Sequence, residues 1–538
     1  MDYLSICLIC KDENDYLAEW LDYHIVMGVD RFYIYDNESR ISLRETLKDY
    51  IERGWVVVQE IPGKAMQLHA YDHCLRTFGP NTFWLAFIDT DEFLTPKTTL
   101  NLKELLKEYE AYGGLAVSSL FFGSGGQKER PAEGQIAGYL WRTHETFSEN
   151  KLIKSIVRPS MALFPNSPHD FIYKENAWCV NEDCKRVDHQ RYPNYTQKIQ
   201  LNHYFCRSEC EIEQKLNRGR GDAGKPWERA RFQATNLLAS HKDTTILQNL
   251  ERLWLASGLS RSVDSQHFGE LTLLEQMALL AQARQPSAAL SSPSQVVLPV
   301  PRIFEITQLK SQLKEADKQK DYARVKQLNA ALLQIAPQNV ALYLDLMGLG
   351  FAFNDPGAAW QAIAHAWRLA PNSFLVLGGM EQFFLQVRNF EMAEKTARLL
   401  LEIAPHDLKA LGFLAEALLG LGRFDEAIKI GVPVVELATK YGEMYDKKGL
   451  PLIRAMANYL IGQKDYVAAA HLWEVSLPGR EDDEEILLEL ANALLLQGDR
   501  EAARQRLLQA QVSSPASPEV AKMLRQIGLS QRGKRSRR

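Results

Sequence analysis

Long apolar runs are missing from this sequence. Nowhere do about 18 uninterrupted apolar residues occur, the length a helix needs to cross a bilayer, so no transmembrane segment is expected. A basic leader is missing too. The opening "MDYLSICLICKDEN" reads as a strand from Tyr3, and a cytoplasmic chain is expected. Net charge is small, −4 over 538 residues, which gives no reason to expect nucleic acid or an anionic membrane as partner. Cysteine is sparse, and the seven present are expected as thiols in a reducing compartment. Cys179 and Cys184 are spaced C-x4-C, and Cys206 and Cys210 C-x3-C, with His203 just ahead of the second pair. Neither of these two pairs has the usual C-x2-C knuckle spacing, which argues against zinc there. A glycine-rich phosphate loop and a His/Asp metal cluster are absent as well, which counts against a nucleotidyltransferase or phosphohydrolase.

What is present is an ordinary globular composition, 46% hydrophobic and 24% charged, in a chain long enough for two or three domains. The first 125 residues alternate apolar runs with amphipathic helices. "LSICLIC" leads into "KDENDYLAEWLDYHIVMG", where Leu17, Trp20, Leu21 and His24 share a helical face and Gly28 can end the helix. "RFYIYDN", helix "LRETLKDYIERG", "WVVVQEI" and helix "MQLHAYDHCLRTFG" follow, then "FWLAFI", and "GLAVSSLFFGS" is a fifth strand. Alternation of this kind predicts an α/β domain with a mostly parallel sheet between helices. Ligands then bind beyond the carboxyl ends of the strands.

That edge gathers carboxylates. The first strand ends at Lys11, Asp12, Glu13 and Asn14, the second at Asp36 and Asn37, and "FWLAFIDTDEFLT" at Asp89, Asp91 and Glu92. Helix capping accounts for Asp12 or Asn14 taken singly. It accounts less well for Asp89-x-Asp91, since Thr95-Pro96 closes a loop before any helix starts. Like charges this close imply a cation among them. Alternate side chains of an extended segment face one way, so Asp89 and Asp91 can reach one Mn²⁺ or Mg²⁺, ions that prefer carboxylate and phosphate oxygen.

From about residue 305 the rhythm changes. Pro337, Pro371 and Pro405 stand 34 residues apart, as do Tyr322, Pro356, Phe390 and Phe424. After an eight-residue insertion the slot continues at Tyr466 and Arg500. Three residues on stand Ala359, Ala393, Ala427, Ala469 and Ala503, with Val325 the exception. Small residues there let antiparallel helices approach closely. The period and pattern resemble tetratricopeptide repeats, an all-α solenoid of about six repeats with "PEVAKMLRQIGL" as a capping helix. The expected organisation is an α/β domain over residues 1–230, a helical extension over 231–284, a Pro/Ser-rich linker over 285–303, repeats over 304–530 and a basic tail over 531–538.

Several segments, in order, carry a further likeness: "CKDENDYLAEWLDYHIVMGVDRFYIYDNES", "QLHAYDHCL", "WLAFIDTDEFL", "FFGSGG", "KSIVRP" and "NHYFCRSECEIEQKLNRG". Over roughly residues 3–225 the chain resembles glycosyltransferase family 92, which implies a Rossmann-like A-type transferase acting on a UDP-sugar. The resemblance implies that Lys11, Glu13, Asn14, Asp36 and Asn37 hold uridine and ribose, and that Asp89 and Asp91 bind the metal with His203 completing its shell. It places Lys154, Arg158, Lys215 and Arg218 near the diphosphate, and Gln67 and Asp72 along the donor pocket. "FFGSGG" would meet the acceptor. Taken alone, His203 is equally a core histidine, and Lys215 and Arg218 lie on a charged helix face that would be solvated anyway.

The resemblance also implies inversion at the sugar carbon, which needs a carboxylate base. Asp170 in "SPHDF" and Glu145 in "RTHETF" are the candidates, and His169 is a further metal ligand or acceptor contact. Galactose is the family-based expectation for the sugar, and a glycan, lipid-linked glycan or protein for the acceptor. The repeats are expected to offer a groove to a protein or peptide partner, or to position the acceptor. The alternative is an inactive transferase fold serving as a repeat-based scaffold.

Overall fold

The computed structural model describes residues 1–218, 227–257, 271–286, 301–440, 450–477 and 481–535. Most of the expected linker and the insertion before residue 450 lie outside them. Two compact units are described, residues 1–376 and 377–538.

In the first unit β1 (Asp2–Cys10) is the central strand. It pairs in parallel with β2 (Arg31–Asp36) and β4 (Thr82–Phe87), and β3 (Val56–Glu60) lies parallel beyond β2. Helices on both faces keep these strands from water, which is why they read as near-continuous apolar runs. Helix α1 (Asn14–Val26) buries Leu17, Trp20, Leu21 and His24 as expected. The expected helix "LRETLKDYIERG" is two short pieces, Leu43–Thr46 and Lys48–Glu52, because Leu47 between them leaves helical geometry at φ −103°, ψ 16°.

Two strands were not evident as strands in the sequence. Ile153–Val157, inside "KSIVRP", runs antiparallel between β4 and β6 (Gly114–Phe121), so the sheet is mixed. β5 (Glu92–Pro96) forms where a loop was expected and pairs antiparallel with Ile199–His203, which lies parallel to β6. Pro96, with no N–H to give, ends β5. The helices Thr245–Ser257 and Leu273–Gln282 add Ile246, Leu250, Leu253, Trp254, Met277 and Leu280 to the sheet's own core. The helical extension thus belongs with the α/β domain.

Beyond it come the repeats, helix pairs with a 34-residue period. The corner between the two helices of a repeat follows one plan, with a single departure in the cap. The residue at the corner is left-handed: Lys320, Asn354, Arg388, Gly422, Lys464 and Gly498 all have φ between 55° and 97°. The next residue caps the second helix, with Asp321, Asp355, Asn389, Asp465 and Asp499 each accepting the N–H three positions on. Arg423 takes the cap slot in the one remaining repeat. The first repeat helices dock on the α/β domain, where Ile303, Ile306, Leu332 and Leu342 share an apolar cluster with Phe164 and Ile172. These last two sit on a hairpin, Ala162–Pro165 with Phe171–Tyr173. The final helix, Pro518–Arg535, takes in the capping segment and continues into the basic end.

Candidate functional site

Strand pairing assembles the site. In the ladder between β5 and Ile199–His203, Glu92 is the partner of His203, and on the other side His203 partners Phe121 at the end of β6. Asp89 and Asp91 precede β5, beyond the carboxyl end of β4. The antiparallel strand brings Lys154 in at that same edge, and the helix Glu209–Arg218 brings Lys215.

The carboxylates and cations interlock. Lys154 Nζ donates to Asp89 Oδ2 at 2.7 Å and lies 3.2 Å from Glu92 Oε2. Lys215 Nζ donates to Asp91 Oδ2 at 2.6 Å and to the Phe205 carbonyl at 2.8 Å. Gln67 Nε2 donates to Asp89 Oδ1 at 3.1 Å. His203 lies between two carboxylates, with Nε2 3.7 Å from Asp91 Oδ1 and Nδ1 3.6 Å from Glu92 Oε1. Lys154 and Glu92 are each 1% exposed, so their charges meet at low dielectric. Burial opposes the Lys154 charge, yet Asp89 and Glu92 hold its ammonium well above the usual lysine range. Burial would also raise Asp91, but Lys215 and His203 hold it well below the usual carboxylate range. Glu92 is pushed up, chiefly by burial.

Two cationic residues that the sequence reading passed over complete the edge. Arg207, in "FCRSEC", donates through Nη1 to Glu13 Oε2 at 2.7 Å and through Nε to Gln135 Oε1 at 2.9 Å, and its guanidinium lies 3.9 Å over the Tyr16 ring. Its Nη2 is buried with no partner, a donor beside the cluster awaiting an acceptor. Arg231 lies 4.9 Å over the Phe205 ring and 5.8 Å over Phe121, and pairs with Glu149. Spacing gave no signal for either. A charged residue packed among aromatics is the mark, with Arg207 buried and Arg231 half-buried, and it exists only in the fold.

Other expected residues stand as follows. Asp36 is turned inward on its own loop, accepting from Ser39 N at 2.9 Å and Leu43 N at 3.3 Å. Asn37 donates to the Ile61 and Gly63 carbonyls, and Asn14 to Ile41 O and Thr46 Oγ1. Lys11 follows β1 directly at the same edge, ahead of Asp12, whose backbone is left-handed at φ 54°. Asp72 is buried and paired with Arg76 at 2.6 Å rather than with the cluster. The Arg218 side chain lies outside the described residues.

Three expectations are corrected. Arg158 is at the opposite edge of the sheet, its guanidinium 3.8 Å over Phe83 at the start of β4. It lies four residues beyond Lys154 on a strand that rises about 3.3 Å per residue away from the site. Asp170 faces away as well. His169 takes the inner side, where its Nδ1 meets the Ile153 carbonyl at 2.9 Å. Burial, with Lys154 and His203 nearby, holds its ring neutral. The Asp170 carboxylate is tied to Asn166 Nδ2 at 2.7 Å and to Ser167 in its own loop. Glu145 is bound by Arg142 at 2.7 Å and His144 at 3.6 Å, and burial is outweighed by Arg142, which holds its carboxyl below the ordinary value. Its contacts among the described residues do not include the cluster.

Among the described residues no three His, Cys, Asp or Glu side chains converge on one point. Asp91 Oδ1 and His203 Nε2 are the two donors that face each other. A divalent ion of the Mg²⁺ or Mn²⁺ kind is commonly held by one or two protein groups, with water and phosphate supplying the rest, so this pair fits such an ion. Glu92 on Nδ1 would fix the tautomer that leaves Nε2 free to ligate.

Residues 3–249 match the family model described as Glycosyltransferase family 92. A family 92 protein of Ricinus communis is 30% identical over 198 residues, 35% of each chain, and one of Oryza sativa subsp. japonica is 30% identical over 198 residues, 35% of this chain and 33% of that protein. The matched stretch thus spans about a third of the length of these curated relatives. Among solved structures, PilF of Pseudomonas aeruginosa is 16% identical, with TM-score 0.33, and covers 42% of this chain and 99% of its own. A tetratricopeptide repeat protein of Parabacteroides merdae is 15% identical, with TM-score 0.30, and covers 51% of this chain and 98% of its own. Residues 3–249 are thus similar to glycosyltransferase family 92, and the helix pairs that follow them are a tetratricopeptide-repeat solenoid.

Proposed function

We propose that the α/β domain transfers a hexose, with galactose the first candidate, from a UDP-sugar to a hydroxyl of a glycan, lipid-linked glycan or protein, with inversion. The observation that carries this reading is the interlocked cluster of Asp89, Asp91, Glu92, Lys154, Lys215 and His203 at the carboxyl edge of the sheet. A Mn²⁺ or Mg²⁺ held by Asp91 and His203 would neutralise charge on the departing diphosphate. The chain's own residues supply more. Lys154 and Lys215 stand fixed beside the carboxylates, already ordered by ion pairs, so presenting their ammonium groups to phosphate oxygens needs little rearrangement. The open Nη2 of Arg207 is a further donor for an anion. Gln67 holds Asp89 in orientation from the helix behind it. The seven free thiols support a cytoplasmic location, and the repeats a protein partner or an acceptor-positioning role.

The test is UDP release by the full chain from UDP-galactose, UDP-glucose and UDP-N-acetylglucosamine, each with Mn²⁺, with EDTA and in Asp91→Asn. Turnover of one donor that needs metal and is lost at least a hundredfold in the variant is expected. If calorimetry also detects no sugar-nucleotide binding, the catalytic reading falls and the repeats carry the function.

A further inference from the structure

We propose that a cleft between the hairpin Ala162–Pro165/Phe171–Tyr173 and the first repeat helices is a second binding site, one that takes a neutral, hydroxyl-rich oligosaccharide. That this ligand is the acceptor chain rests on the transferase reading above. The cleft encloses about 240 Å³ and lies within the first unit. It is distinct from the carboxylate cluster. Trp178, on its wall, accepts from Gly113 N at the amino end of β6, whereas His203 and the aspartates gather at the carboxyl end.

Its chemistry selects the ligand. Asp188 Oδ1 accepts from Arg186 Nε at 2.9 Å, but its Oδ2 is buried with no partner and the side chain is 10% exposed. A buried acceptor left open is the mark of a site awaiting a donor such as a hydroxyl. Arg186 cannot swing to fill it, because Nη1 is held on the Leu369 carbonyl at 2.9 Å at the end of a repeat helix. Charge on the walls balances. Asp170, Glu175 and Asp188 are matched by Lys174, Arg186 and Arg368, so neither phosphate nor a basic peptide is favoured by field. The Gln338 amide and the Arg368 guanidinium, both on the repeat side of the cleft, add donors and an acceptor. The half-buried Trp178 ring, with the Arg186 guanidinium 5.4 Å from its centroid, offers an apolar face for the C–H side of a sugar ring. An open carboxylate oxygen, amides, a guanidinium and an indole in a charge-neutral cleft suit a polyhydroxylated ligand better than an ion.

The experiment is calorimetric titration of the full chain, without sugar nucleotide, with hexasaccharides of galactose, of glucose and of N-acetylglucosamine. One of them is expected to bind, with its Kd raised tenfold or more by Asp188→Asn and by Arg368→Ala, while UDP binding is unchanged. Arg368 is exposed, so its variant keeps the test usable if Asp188→Asn fails to fold. Absence of binding by all three hexasaccharides overturns the proposal, as does equal binding by wild type and the Arg368→Ala chain. Cleft binding with neither donor turnover nor sugar-nucleotide binding would uphold this site and remove only the transferase reading. Donor turnover without cleft binding would remove this site alone.

Discussion

At the residue scale, the three acidic side chains between the end of β4 and the start of β5 divide their work. Asp91 faces the imidazole of His203, Asp89 is held by Lys154 and Gln67, and Glu92 is buried behind both. Removing the Glu92 charge should therefore act through His203. Glu92→Gln is expected to raise the Mn²⁺ concentration for half-maximal UDP release by about 10- to 100-fold, the usual cost of losing a carboxylate behind a metal-ligating histidine. A metal titration checks this, and an unchanged midpoint would detach His203 from the metal. Lys215→Ala is expected to lower kcat by about a hundredfold, the order lost with one charge-stabilising donor. Asp89 and Asp91 were legible in the sequence because spacing and strand position carry them, and His203 only through the family resemblance. Arg207 and Arg231 were missed because nothing local marks a cation that packs on aromatic rings only after distant segments meet.

At the scale of elements, the 34-residue register rests on close packing between paired helices. A Cβ on Gly350 would stand 2.5 Å from Ala359 N and 2.8 Å from Ala359 Cβ, whereas one on Gly348 of the same helix would meet nothing within 4 Å. Gly350→Ala should cost about 1–3 kcal/mol by overpacking, and Gly348→Ala should be neutral or stabilising by up to about 1 kcal/mol through helix propensity. Thermal melts of the two variants side by side read the difference. Equal melting temperatures would refute close packing as the reason for the small residues. The prolines and alanines made these repeats legible. The Asp and Asn caps at 321, 355, 389, 465 and 499 keep the same register and could have been read from it as well.

At the scale of the whole molecule, one buried acid ties stability to pH. Glu381, in the second unit, is fully buried with both carboxylate oxygens unpartnered. Burial, reinforced by Glu416 and opposed by Lys409, pushes its carboxyl up to about 9. The folded state then holds a proton that the unfolded chain, near 4.5, releases first. Stability from this group is complete below about 4.5 and is lost as pH rises toward about 9, with a loss near pH 7 of about 3 kcal/mol at 1.36 kcal/mol per unit. Glu381→Gln should raise the melting temperature at pH 8 and flatten its decline between pH 5 and 9. A decline as steep as in the wild type would assign the pH dependence to other groups.

The sequence by itself determined the two rhythms, α/β then paired helices, because apolar periodicity and corner residues act within one turn or one strand. It determined which carboxylates cap β4, because alternation along an extended segment is fixed by covalent geometry. Only the tertiary structure decided what neutralises them. Lys154 reaches Asp89 from an antiparallel strand that no local pattern announced, and the same strand's direction removes Arg158 to the far edge. The turning of Asp170 away from His169's side was decided there too, by a hairpin packed against helices more than a hundred residues further along the chain. Asp170 and His169 lie in the loop of that hairpin, and which of a loop's side chains looks onto a site depends on what its flanking strands are packed against.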